Sequence, residues 1–182
     1  MRKVQKKVLI LHGWGGSDFP HWQSWLAGEL ARDYGKVNFV KFSDQDEPNL
    51  GVWMNELELE LEAFKPDIVV CHSLANALWF HLCNAHNIRV VEKLFLVAPP
   101  SLNTQIDELK SFFPVNPPKD LYAKYSLLVT STNDPYMNEK EAEELQKALN
   151  VTMEVIKDGG HLNSDSAYGE WEWILQEVKK SF

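Results

Sequence analysis

The most restrictive feature of this chain is a repeated switch between two hydrophobic patterns. Short unbroken apolar runs such as Val8-Leu9-Ile10-Leu11 and Ile68-Val69-Val70 alternate with longer segments of helical spacing. An unbroken run marks a strand buried on both faces. Strands are expected at 8–11, 37–42, 67–71, 94–97, 126–130 and 152–156. Between them, 22–34 places Trp22, Trp25, Leu26, Leu30 and Tyr34 on one helical face. The 50–64 segment sets Trp53, Leu57, Leu61 and Phe64 against an acidic side of Glu56, Glu58, Glu60 and Glu62. Further helices are expected over 74–86, 138–149 and 168–178, with a short one over 105–113. Strands separated by helices imply an α/β class: a mostly parallel sheet covered on both faces. In such sheets ligands bind beyond the carboxyl ends of the strands.

The 182 residues suit one domain, taken as 1–182. A net charge of −8 disfavours nucleic acid and anionic membranes as partners. Arg2, Lys3, Lys6 and Lys7 precede an apolar run of only four residues before His12, whereas a signal segment needs about 7–15. The two cysteines, Cys71 and Cys83, do not suggest a disulfide framework, so a cytoplasmic location is expected. No metal is expected: there is no H-E-x-x-H, and the cysteines are not spaced as a zinc pair.

Four strand-end loops carry the chemistry. Cys71-His72-Ser73-Leu74-Ala75 passes from a buried strand into a helix, the setting of a nucleophile elbow written G-x-S-x-G. Ala75 is small as the turn requires, while Cys71 stands where glycine is common. Taken alone, Ser73 also fits a helix N-cap. After strand one, His12-Gly13-Trp14-Gly15-Gly16-Ser17 is neither a P-loop nor a dinucleotide fingerprint. It can instead offer backbone N–H groups to an oxyanion. The donors expected are the N–H groups of Leu74 and Trp14, with Gly15 next in line. Asp134, in Asn133-Asp134-Pro135, could orient a histidine. His161, in Gly159-Gly160-His161-Leu162, could serve as general base and then acid. The order Ser73, Asp134, His161 is that of α/β-hydrolases.

Other reactive side chains are expected to pack. Cys71 and Cys83 read as core, His81 and His86 as helix surface, and His12 and His72 as flanking groups. His21 and Trp22 could line a pocket entrance, although packing suits them better. Trp171 and Trp173, two apart on the last expected helix, should not share a face.

With these residues in place, the chain resembles the compact serine hydrolases grouped with retinoblastoma-binding protein nine and its bacterial relatives. The resemblance runs through 12–17, His21-Trp22-Gln23-Ser24-Trp25-Leu26, His72-Ser73-Leu74-Ala75, Asn133-Asp134-Pro135 and Gly160-His161-Leu162-Asn163. It implies an α/β-hydrolase fold: a three-layer α/β/α sandwich, doubly wound, six-stranded in the order 2-1-3-4-5-6, without a large lid. It also carries the family triad onto Ser73, Asp134 and His161. The family supplies no defined natural substrate, and retinoblastoma-protein binding does not transfer because an L-x-C-x-E stretch is absent. The expected activity is cofactor-free hydrolysis of a small acyl ester or thioester through an acyl-serine. The alternatives are a binding module on the same scaffold and an acyltransferase.

Overall fold

The computed structural model describes residues 6–180. Arg2 and Lys3, read above against a signal segment, lie outside the described residues, as does the side chain of Tyr34. Six strands form one sheet: β1 (Lys7–Leu11), β2 (Lys36–Val40), β3 (Ile68–His72), β4 (Val91–Val97), β5 (Ala123–Ser131) and β6 (Thr152–Ile156). Their order is β2-β1-β3-β4-β5-β6, as the resemblance implied. Every pairing is parallel, so the sheet is wholly rather than mostly parallel. The helices are α1 (Trp22–Tyr34), α2 (Leu50–Phe64), α3 (Leu74–Ala85), α4 (Glu139–Leu149) and α5 (Glu172–Lys179).

Period-two alternation along the strands divides the core between the two faces. Leu9, Leu11, Val69, Cys71, Leu94, Leu96 and Leu128 point to the side of α2, α3 and α4, where Trp53, Leu57, Leu78, Trp79 and Leu145 meet them. Val8, Ile10, Ile68, Val70, Phe95, Val97 and Val129 point the other way, against Trp22, Leu26 and Leu30 of α1 and Ile174, Leu175 and Val178 of α5. The central strands are sealed on both sides, which explains their unbroken apolar runs. α3 is apolar nearly all round and is buried from Leu74 to Phe80. α4 keeps its charged face in water and starts on a capping box between Asn138 and Glu141.

The chain leaves β1 for β2 on one side and returns to β3 on the other. Winding therefore reverses between β1 and β3, which opens a crevice at their carboxyl ends. Asn76, fully buried in the first turn of α3, ties this region together: its amide donates to Ser73 O at 2.8 Å and Val97 O at 2.9 Å.

Three sequence expectations are corrected. Residues 105–113 form only a 3-10 turn at Asp107–Leu109. Ile106, Leu109 and Phe112 have helical spacing, but they serve as apolar cover for the α2–α3 side of the core. Pro114 disfavours helical backbone at Phe113. The last helix begins at Glu172 rather than at residue 168, because Tyr168 N–H is taken by Asn163 O and Trp171 is non-helical at φ −119°, ψ 80°. Trp171 therefore escapes the helical spacing rule, and its ring stacks on Trp173 at 5.6 Å. β4 and β5 also begin three residues earlier than expected, at Val91 and Ala123.

Replacing Asn76 by Ala removes two side-chain hydrogen bonds across the elbow, while Ser73 O and Val97 O each keep one backbone donor. Urea unfolding of Asn76→Ala should show a loss of about 1–3 kcal/mol.

Candidate active site

Ser73 lies between β3 and α3 with φ 54° and ψ −122°, a conformation non-glycine residues avoid. The sharp turn lifts its side chain off the sheet. It is held by Ser73 N–H donating to Val97 O at 3.0 Å and by Asn76 N–H donating to Ser73 O at 3.0 Å. Ser73 makes no side-chain capping bond to α3, so the N-cap alternative does not describe it. Gly13 presses against this turn: a Cβ there would sit 2.7 Å from Ser73 Cβ and 3.2 Å from Leu74 N. Only glycine permits that approach.

The three candidate residues converge. His161 Nε2 is 2.8 Å from Ser73 Oγ. His161 Nδ1 faces both oxygens of Asp134, at 3.0 and 2.9 Å. The side chains of His161 and Asp134 are 8% and 3% exposed, so their pairing is shielded from water. Tyr136 N–H donates to Asp134 Oδ1 at 2.9 Å, and the Tyr136 ring stands edge-on to His161 at 4.5 Å.

The His161 loop is fastened from several directions. His72 Nε2–H donates to His161 O at 3.1 Å, and Trp22 Nε1–H donates to Leu162 O at 2.8 Å. Gly160 N–H donates to Asn133 Oδ1 at 2.7 Å, and His161 N–H to Ser166 Oγ at 3.2 Å. Trp22 is thus packed, fully buried, rather than lining an entrance. His72, read as a flanking group, holds the loop that carries His161. The roles of Asn133 and Ser166 lie in tertiary contacts between loops far apart in sequence, and no local signal marks them.

The first loop narrows the choice of backbone donors. Gly15 N–H is occupied by Gln45 O at 2.9 Å and is not free for another acceptor. No protein acceptor faces the N–H of Trp14 or Leu74 among the described residues. The Trp14 indole donates to Asp46 O at 2.9 Å, which fixes that side chain over the loop after β2. His12 accepts from Phe42 N–H through Nε2 at 3.0 Å and donates from Nδ1 to Gly13 O at 2.7 Å.

A cleft of about 370 Å³ opens over Ser73 and His161. Its lining includes Ser17, Asp18 and His21 from the segment before α1 and Asn163, Ser164 and Asp165 from the segment after β6. Of these, sequence reasoning raised only His21 as a wall residue.

Burial holds the neighbouring histidines neutral. It pushes His21 down to about 4, helped by the nearby His161, and takes His72 well below the ordinary imidazole range. It also lowers His12, though the Gly13 hydrogen bond opposes this. The Cys71 thiol is raised well above its usual range and Cys83 to about 12, both by burial, so neither supplies a thiolate near neutrality. His81, expected at the surface, is half-buried and donates to Phe112 O at 2.7 Å, whereas His86 is exposed beside Glu58. Among the described residues no group of three or more His, Cys, Asp or Glu is placed to hold a metal ion. Nor is any helix long and apolar enough to cross a membrane.

The model of the serine hydrolase family matches residues 8–180. The chain belongs to that family. This serine hydrolase is 21% identical over 172 residues to YdeN of Bacillus subtilis (strain 168), a match covering 91% of this chain and 90% of YdeN. The crystal structure of the ydeN gene product superposes with a TM-score of 0.83 at 19% identity, covering 96% of this chain and 97% of that one. The carboxylesterase CesB of B. subtilis gives 0.65 at 13% identity, over 95% and 82% of the two chains. The esterase domain of a Rhodothermus marinus protein gives 0.59 at 15% identity, over 96% and 88%. These likenesses establish the α/β-hydrolase fold of the serine hydrolase, here without a lid.

The depressed histidines link stability to pH. Unfolded imidazoles take up protons near the ordinary value of 6.5, whereas folded His21 resists until about 4 and burial also holds His72 well below the ordinary range. The unfolded chain therefore binds more protons in that window. Stability should fall as pH drops through it, by up to about 1.4 kcal/mol per pH unit for each group. Urea unfolding at about pH 7 and about pH 5 should show this loss, and His21→Asn should make it smaller.

Proposed function

We propose that this serine hydrolase cleaves small acyl esters or thioesters through an acyl intermediate on Ser73, with His161 as base and acid and Asp134 as its orienting carboxylate. The observation that carries the reading is the unbroken chain of contacts from Ser73 Oγ through both nitrogens of His161 to Asp134. His161 Nε2 accepts the Ser73 hydroxyl proton as Oγ bonds to the substrate carbonyl carbon. Asp134 accepts the Nδ1–H, fixing the tautomer and stabilising the imidazolium. The carbonyl oxygen gains the negative charge, and the N–H groups of Leu74 and Trp14 receive it. Both are without a protein acceptor among the described residues, and the Gly13 backbone packs beside Leu74 N.

Collapse of the tetrahedral adduct breaks the bond to the leaving alcohol or thiol, which takes its proton from His161. Water then attacks the acyl-Ser73 while His161 removes a proton, and a second collapse releases the acid and restores the hydroxyl. Pre-placed donors and a shielded ion pair favour the charged adduct over the neutral ester, which is the source of rate acceleration. The open cleft suits a small acyl group.

A fluorophosphonate probe should label the wild type and leave Ser73→Ala unlabelled. Ser73→Ala and His161→Ala should each lower ester turnover by about 10⁴–10⁶. Asp134→Asn should lower it by about 10⁴. Retention of more than about a tenth of wild-type turnover in purified Ser73→Ala would sink the assignment.

A further inference from the structure

The cleft walls carry polar groups that the proposed acyl transfer leaves unused. His21 is 5% exposed and lines the cleft. Its Nδ1 accepts the Gln23 N–H at 3.1 Å, capping α1. In the neutral ring the proton is therefore on Nε2, which has no protein partner among the described residues. The Ser17 hydroxyl, which also lines the cleft, is buried without a partner among the described residues. An unmatched buried polar group is costly, so the Ser17 hydroxyl favours a partner, while the His21 N–H at the cleft is left to donate to a ligand oxygen. Asp18 and Asp165 add two carboxylates, which can only accept hydrogen bonds. No lysine or arginine is among the cleft residues; Lys41 approaches Asp18 at 3.8 Å from outside, with both side chains mostly exposed.

These four side chains impose a mixed requirement. An anionic group would meet two carboxylates and neutral imidazoles. An ammonium group would satisfy the carboxylates and leave the His21 donor unmet. An alkyl chain would satisfy neither. A hydroxyl group is small and uncharged, accepts from an N–H and donates to a carboxylate. Trp14, 38% exposed, and Phe19, 86% exposed, offer apolar cover at the same cleft for the carbon skeleton of such a group.

Resting on the esterase reading above, we propose that the cleft beside Ser73 holds a subsite for hydroxylated, uncharged alcohols, formed by His21 Nε2–H, Ser17, Asp18 and Asp165, so that the enzyme prefers acyl esters of polyols. His21 is here a specificity-determining donor and takes no part in proton transfer.

The test compares four acetate esters: glycerol monoacetate, propyl acetate, acetylcholine and 3-acetoxypropanoate, followed by acid release in a pH-stat. The kcat/KM for glycerol monoacetate should exceed that for propyl acetate by about tenfold, the ordinary worth of one added hydrogen bond. The anionic ester should be the poorest substrate. His21→Asn retains a side-chain oxygen for the Gln23 N–H and removes the cleft donor. It should lower the glycerol-to-propyl ratio about tenfold. Asp18→Asn, at an exposed position, should raise the anionic ester relative to propyl acetate. A glycerol-to-propyl ratio near unity, or one unchanged by His21→Asn, overturns the subsite and leaves the esterase reading standing. Acetylcholine as the best substrate overturns it in favour of an ammonium site. Turnover of none of the four overturns the esterase reading, and the subsite with it.

Discussion

The closeness of the first loop to the elbow governs how this site is built. β1 and β3 are hydrogen-bonded neighbours, so the segments that leave them emerge side by side. Gly13 fills the space between them with no side chain, and its backbone lies against Ser73 and Leu74 N. That contact brings the glycine-rich loop beside the first turn of α3, where backbone N–H groups lack helical partners. A larger residue at position 13 would push the two segments apart. The positive φ of Ser73 is the other half of the arrangement, because a relaxed turn would lay the hydroxyl back toward the sheet. Burial of the central strands and of α3 supplies the rigidity that keeps this conformation in place.

Around that contact the protein gathers four histidines and assigns them different work. His12 bridges Gly13 and Phe42, His21 caps α1, and His72 supports the His161 carbonyl. Burial deprives these three of charge, and only His161 has a carboxylate on its ring. Neutral neighbours do not compete for Asp134. The imidazole with a carboxylate partner is thus set apart from the rest by electrostatics as well as by position.

Much of this was legible in the sequence. Unbroken apolar runs such as Val8-Leu9-Ile10-Leu11 signal strands because both faces are covered, a property that leaves no polar alternation behind. Strand-end placement made Ser73, Asp134 and His161 visible as candidates, and their spatial convergence follows from the sheet order. What could not be read was set by contacts between distant loops. Asn133 and Ser166 are ordinary polar residues in turns, and their partners are fixed only when the loops after β5 and β6 pack, as is the place of Ser17 and Asn163 at the cleft. Leu109 and Phe112, within the expected 105–113 helix, are apolar cover beneath a loop, and such cover can mimic a helical interval. Trp171 was placed within a helix that starts one residue later, and this reversed the relation of its ring to Trp173.

The fastening of the His161 loop comes from the α1–α5 side of the sheet, where the His72 and Trp22 rings meet at 5.7 Å. Trp22 belongs to the α1–α5 layer and holds Leu162 O, while His72 ends β3 itself and holds His161 O. The elbow is tied through Asn76, on the α3 side, to the end of β4. These contacts tie the site to several elements of the core at once. Its local opening is coupled to the cooperative melting of the sheet, so that denaturant would erase the Ser73–His161–Asp134 contacts and the tertiary structure in a single transition rather than in two.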